Sequence, residues 1–518
     1  MQKYYDIIII GTGAGGGTLA YALASTGKRI LLLERGEYIP REKQNWNAAA
    51  VYGNGLYRTE QRWLNSQDKK FQPTVYHKVG GSTKIYGAAL LRMRRQDFNE
   101  IEHYEGVSPA WDLKYEDFEP YYNQAEKLYK VHGKRGGDPT EPPYSKEYDY
   151  PALPHEPRIK QVVDNLEILG LKPFSLPMGI DRDINNETQS PCIRCDTCDG
   201  YPCLVDAKAD AQVCCVDKAL KHQNVTLITN AQVERLVTNN SGSEVTGVEA
   251  IVNGDSKFFN ADIVVVACGA INSAALLLRS ASDSHSNGLA NSSGMVGRNI
   301  VKHNTTKLYA ISTVPNETVF QKTLAINDFY FGSSEDAYPL GHVHLMGKHK
   351  LEMMRPDFPR WVPNSLLKVF ASHSVDWWMQ SEDLPNVENR VEIAKNKQIK
   401  VYYHPNNQKA HRRLRHQFGK VLRKAGFPII WGVPMPLKVM NHQGGTCRFG
   451  IDSTVNVLDL NCRTHDLDNL YVVDSSFFPS IGAMNPTLTI VANALRVAEH
   501  LKQRLNVSKN SKAVASKI

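Results

Sequence analysis

The sequence has no long hydrophobic run, no internal repeat and no low-complexity segment. Uninterrupted apolar stretches such as Ile7–Ile10 and Ile263–Cys268 fall far short of the roughly 20 residues that carry a helix across a bilayer. No membrane span is expected. No small-residue cleavage site follows the opening residues, where Lys3 and Asp6 frame a short strand, so no secretory signal is read and a cytoplasmic location is expected. With 42% apolar and 22% charged residues, 36 Gly and 26 Pro, the composition excludes disordered, collagen-like and coiled-coil chains. The 518 residues leave room for roughly two to four domains of about 100–200 residues each.

A strong basic surface is also missing. The formal charge is +8, but Lys502, Arg504, Lys509, Lys512 and Lys517 follow the last acidic residue, Glu499, and leave about +3 for the rest of the chain. Nucleic-acid recognition needs Lys and Arg gathered on one folded face. Residues 506–518 read instead as a solvated basic tail, and no nucleic-acid partner is expected. The ending Ser516-Lys517-Ile518 matches a peroxisomal address only loosely.

The best organised segment is the first. Tyr4–Ile10 reads as a buried parallel strand, β-branched and apolar throughout its second half. Gly11, Gly13 and Gly16 follow without a spacer, a helix is expected over Thr18–Thr26, and Arg29–Glu34 forms a second strand. G-x-G-x-x-G between a strand and a helix binds a dinucleotide. The first Gly makes the tight turn, the second lets pyrophosphate approach the backbone, and the third lets helix and strand pack closely. Free N–H groups at the helix start attract the phosphates. Glu34, 21 residues after Gly13, is placed to accept hydrogen bonds from an adenosine ribose. This motif does not separate FAD from NAD. A second glycine loop, Gly80-Gly81-Ser82-Thr83, offers further backbone donors and hydroxyls.

Beyond it, helices are expected over Tyr115–Tyr129, Ile159–Leu169 and Leu488–Leu505. Strands are expected over Val225–Thr229, Gln232–Thr238, Glu244–Val252 and Ala261–Ala267, and a Pro-rich loop over Pro139–Pro157. Nine cysteines are present, six of them between Cys192 and Cys215. Cys192, Cys195, Cys198 and Cys203 are spaced to wrap a soft metal centre, although the x4 gap and the position of Pro202 depart from the ferredoxin run. An iron–sulfur cluster, a structural zinc and no metal at all remain open. Cys214, Cys215 and Cys268 read as packing residues.

Together the N-terminal glycine turn, Gly80-Gly81-Ser82-Thr83, Val296-Gly297-Arg298-Asn299 and the segment Asn441–Leu501 resemble the glucose–methanol–choline family of FAD-dependent oxidoreductases. The resemblance implies a mixed α/β architecture, with a doubly wound Rossmann-like FAD-binding domain from residues 1–95, 225–305 and 440–505. A second α+β substrate-binding domain, built on an antiparallel sheet, takes 96–224 and 306–439 and contains the cysteine block. The stretch Ser381–Pro385 with Asn389-Arg390-Val391 resembles the start of a strand in that second sheet. In Asn441-His442-Gln443-Gly444-Gly445-Thr446 the family places a base beside the flavin, which makes His442 the expected base. Imidazole titrates near neutral pH and suits removal of a hydroxyl proton. In Met484-Asn485-Pro486-Thr487 the family places a His or Asn, so Asn485 is its expected partner; it also suits a helix N-cap before Pro486 at the first helical position. The resemblance further implies Asp474, Val233 and Pro486 as flavin contacts. The second glycine loop has no His for covalent attachment, so non-covalent FAD is expected. Some sugar dehydrogenases of the family carry an iron–sulfur cluster at a similar cysteine block. The implied reaction is oxidation of a CH–OH group of a sugar, glycoside or other polar alcohol, with an electron-acceptor partner. A non-catalytic redox sensor, an NAD-dependent dehydrogenase, or a flavin disulfide reductase using Cys195 and Cys198 are the rival readings.

Overall fold

The computed structural model describes residues 4–506. The expected tail beyond that point, with its Ser516-Lys517-Ile518 ending, lies outside the described residues. The strand Tyr4–Ile10 sits inside a seven-stranded sheet, between Ile30–Leu33 and Asp255–Val266, and pairs in parallel with both. Ile7, Ile8 and Ile9 are wholly buried, as expected of a strand covered on both faces. Val225–Ile228 extends the sheet in parallel beyond Ile30–Leu33. Asp255–Val266 is longer than its apolar core Ala261–Val266 suggests. Its polar first half pairs antiparallel with Val245–Val252, which in turn pairs with Ala231–Thr238. Its apolar second half lies between Tyr4–Ile10 and Leu470–Val472.

The first helix starts at Ala14, not at Thr18, so Gly15, Gly16 and Gly17 are helical. Helix propensity disfavours glycine, but close packing requires it here. A Cβ on Gly16 would stand 2.1 Å from the Gly11 carbonyl oxygen, and one on Gly15 1.9 Å from that of Val473.

A second, six-stranded sheet is antiparallel throughout. Its order is Ile429–Pro434, Asn304–Ile311, Ser374–Ser381, His342–Leu345, Leu324–Ile326, Phe174–Ser175. Alternation gives its faces opposite characters. Val375, Trp377, Met379, Leu308, Ala310, Val343 and Leu345 pack in one core with Ile159, Val162 and Leu166 of the helix Pro157–Ile168 and with Leu414, Phe418 and Leu422 of the helix Gln408–Lys424. On the other face, Lys307, Trp378 and His344 stand in register across three strands. Trp377 is fully buried, edge-on to Phe418 at 5.0 Å. Trp377→Ala is expected to cost about 3–5 kcal/mol, read as a lowered urea midpoint in equilibrium unfolding.

The segment 381–391 departs from the expectation. Ser381 closes a strand of the second sheet. Arg390–Ile393 joins a separate four-stranded sheet with Ile399–Tyr402, Trp63–Asn65 and Lys70–Phe71. Val391, Ile399 and Val401 of that sheet belong to the core of the first sheet. The chain has already crossed over, through a turn in which Asp383 accepts hydrogen bonds from Tyr403 and Lys302.

Candidate active site

The two glycine loops meet. A Cβ on Gly81 would lie 3.0 Å from the Gly13 Cα, and the Gly80 N–H donates to Thr12 Oγ1 at 3.1 Å. Gly80 and Gly81 both have positive φ, 92° and 58°, a region that favours glycine. Thr12 in turn donates through its hydroxyl (2.6 Å) and its backbone N–H (3.1 Å) to Glu34 Oε2, while Gly36 N–H donates to Oε1 at 3.0 Å. Glu34 is thus fixed at the end of its strand, and burial pushes its carboxyl above the usual range. Asp474 is held as firmly. One oxygen accepts from Gly269 N–H and the Ser273 hydroxyl, the other from the N–H and hydroxyl of Ser476. It therefore ties the start of the helix Ala270–Arg279 to the turn after Leu470–Val472.

These elements line one cavity of about 490 Å³. Gly11, Gly13, Glu34, Gly81, Ser82, Val233, Asp474 and Pro486 are on its wall, and so are His442 and Asn485. Gly16 and Gly80 stand behind that wall and shape it. A Cβ on Gly13 would meet no protein atom within 4 Å, which leaves the backbone bare toward the cavity, as a pyrophosphate requires. Cys268, read from sequence as packing, also lines the cavity. It follows the strand Asp255–Val266, at the carboxyl edge where open α/β sheets hold ligands. Tyr52, Asp199, Lys307, Lys322, His344, His349 and Trp378 line it too and carried no sequence signal.

His442 adopts φ 61°, a left-handed conformation uncommon outside glycine. The loop that carries it is strapped down. Val301 and Gly444 exchange two backbone hydrogen bonds, Thr446 Oγ1 donates to Ala270 O, and Gln443 links Ile271 N–H to Met440 O. His442 Nδ1 lies 3.0 Å from His303 Nδ1. Burial, with His303, His344, Lys322 and Lys302 nearby, holds the His442 pKa well below its ordinary value. Asn485 does not cap the last helix, which runs Thr487–Arg504 with Pro486 just before it. Its Oδ1 instead accepts from Gln380 Nε2 at 3.2 Å, and Gln380 is itself fixed by Trp378 Nε1–H and by Ala483 O. The Asn485 amide N–H groups are left for a ligand.

The cysteine block packs behind Tyr86. Cys192, Cys198 and Cys203 border one apolar cluster, and all nine cysteines are free. Burial pushes the Cys192 and Cys198 thiols up, and the Lys208 ammonium donates to the carbonyls of Tyr86, Cys198 and Tyr201. Among the described residues no three His, Cys, Asp or Glu side chains form a group that would hold a metal ion. Nor is any described helix long and apolar enough to cross a membrane.

The donors fit FAD. A bare glycine turn opens onto the cavity, a carboxylate ends the second strand, and the cavity runs on to His442 and Asn485. A flavin-dependent oxidoreductase is the class this fold and cavity define. The comparisons agree: the pattern of the GMC oxidoreductases matches residues 5–305 and 385–494, and the chain belongs to that family. It is an FAD-dependent oxidoreductase acting on CH–OH groups. The chain is 30% identical to 6'''-hydroxyparomomycin C oxidase of Streptomyces lividus, over 97% of this chain and 92% of that protein. It is 24% identical to the fructose dehydrogenase large subunit of Gluconobacter japonicus, over 95% and 97%. In fold it resembles pyridoxine 4-oxidase from Mesorbium loti, with a TM-score of 0.68 at 19% identity over 96% of this chain and 99% of that one.

Proposed function

We propose that this protein oxidises a primary or secondary alcohol of a sugar, glycoside or similar polyol, with His442 as base and Asn485 as the group that orients the oxygen. The observation that carries this reading is the convergence of both side chains, from segments far apart in sequence, on the cavity that the glycine turns open into. Bound FAD supplies the hydride acceptor. The alcohol proton passes to His442 Nε2, the nitrogen not engaged by His303, as the carbinol C–H leaves with its electron pair. The Asn485 N–H donates to the substrate oxygen while negative charge develops there. Lys307, Lys322, Asp199 and Trp378 give the cavity lining the polar and aromatic character that suits a hydroxylated ring. The relatives named for hydroxyparomomycin, paromamine and fructose point to the same class.

The test is anaerobic mixing of the yellow holoprotein with paromamine, D-fructose, D-gluconate, choline and 2-methyl-1,2-propanediol. Loss of the flavin absorbance with a sugar supports the reading, and bleaching by choline alone would overturn its substrate clause. Bleaching equally fast in His442→Gln would overturn its base. The flavin is held non-covalently in this reading, because the second glycine loop offers Ser82, Thr83 and Lys84 but no His. Acid precipitation is expected to release all the yellow colour into the supernatant.

A further inference from the structure

One side chain in the cavity region has no part in the chemistry so far, and it touches the proposed base. His303 lies outside every motif. It reaches His442 because Val301 and Gly444 form an antiparallel bridge. Two residues onward on one strand and two back on the other, antiparallel pairing sets 303 opposite 442. The result is a 3.0 Å Nδ1–Nδ1 contact with the rings edge to face, centroids 5.1 Å apart.

Two neutral imidazoles in such a contact share one proton, in one of two arrangements. In the first, His442 carries its proton on Nδ1 and donates it to His303, leaving a free electron pair on His442 Nε2. In the second, His303 donates, and His442 carries its proton on Nε2, where it cannot take another. Histidine in water favours the Nε2–H form. A His used as a base at Nε2 therefore needs an acceptor for its Nδ1–H.

We propose that His303 is a positioning residue. It accepts the Nδ1–H of His442, fixes the tautomer whose Nε2 faces the substrate, and steadies the imidazolium that forms when the alcohol proton arrives. The proposal rests on the reading of His442 as base. The proton count closes. The alcohol O–H bond breaks as His442 gains an N–H at Nε2, and the proton between the two rings stays in place. Burial supports the arrangement: it pushes His303 down to about 4, against the pull of the Glu382 carboxylate and of the backbone at Ile481 and Gly482. A neutral His303 keeps one nitrogen free to accept.

The direct test needs no substrate. Holoenzyme labelled with ¹⁵N-histidine is examined by long-range ¹H–¹⁵N correlation, with His442→Gln to assign the resonances. The expected result is a protonated Nδ1 and a bare Nε2 at His442, lost in His303→Leu and regained in His303→Asn, whose carboxamide oxygen also accepts. A wild-type His442 protonated at Nε2 would overturn the proposal. In turnover, His303→Leu is expected to lower kcat about 10²-fold, mostly at unchanged KM, with partial recovery in His303→Asn. If His303→Leu does not fold, His303→Met takes its place. A wild-type rate in these variants while His442→Gln is inactive would remove His303 and leave the base standing. A wild-type rate in His442→Gln would instead remove the base itself.

Discussion

His442→Gln is expected to lower the rate of alcohol-dependent flavin bleaching by about 10²–10⁴-fold, the share a general base contributes, while the protein remains yellow. Gln can still accept or donate a hydrogen bond at this place, but it cannot take a proton. The flavin is retained because the groups that shape the dinucleotide end, among them Thr12, Glu34, Gly81 and Asp474, make none of their bonds to His442. The pH dependence follows from the same environment. Burial and the neighbouring His and Lys side chains hold the His442 pKa well below 6.5. The ring is therefore in its base form throughout the neutral range. The wild-type rate should be flat from neutral pH upward and fall only on the acid side, where the ring gains its proton before the substrate can supply one. A rate that rises through pH 6–8 would mean that a different group titrates. An unchanged rate in the Gln variant would remove His442 as the base and turn attention to the other titratable groups on the wall, among them His344 and His349.

How much of this could be read in the sequence depended on how locally each feature is built. The glycine turn, its flanking strands and Glu34 are contiguous, so spacing alone identified them. The start of the first helix is hidden because local propensity penalises Gly15–Gly17, and the contacts that demand Gly15 and Gly16 come from Val473, more than 450 residues away, and from Gly11. His442 and Asn485 were legible only through a family resemblance, since neither spacing nor periodicity marks them. Asn485 also looked like a helix cap, and Gln380, a residue of the second sheet, takes the oxygen that a cap would have used. His303 was invisible because a single backbone bridge places it, and a bridge leaves no periodic pattern. Lys307, Trp378 and His344 were hidden for a related reason. Their alternation with buried apolar residues is plain, but the ligand faced by the polar side of a strand is decided by another domain. The cysteine spacing left iron–sulfur, zinc and no metal open; in the folded chain Cys192, Cys198 and Cys203 border an apolar cluster.

Gly15→Ala is expected to yield a protein that is largely colourless and destabilised, at the upper end of the roughly 1–3 kcal/mol that overpacking costs, or beyond it. The methyl group would stand 1.9 Å from the Val473 carbonyl oxygen and 3.2 Å from the Asp474 Cα. Both are backbone atoms, so no side chain can swing aside. The first helix must withdraw from the strand Leu470–Val472 by more than an ångström. Asp474 bridges that strand end to the start of Ala270–Arg279, so the displacement opens the cavity wall as well as the helix packing. Gly13→Ala separates the two effects. Its backbone angles, φ −69° and ψ −165°, are open to alanine, and its Cβ meets no protein atom. That variant should lose flavin because its methyl occupies the path of the pyrophosphate, while its flavin-free form melts at the same temperature as the flavin-free wild type. The ratio of flavin to protein absorbance, measured beside a melting curve, distinguishes them. Full flavin content and an unchanged melting temperature in Gly15→Ala would mean that the helix and the turn after Leu470–Val472 are not packed as closely as the geometry here requires.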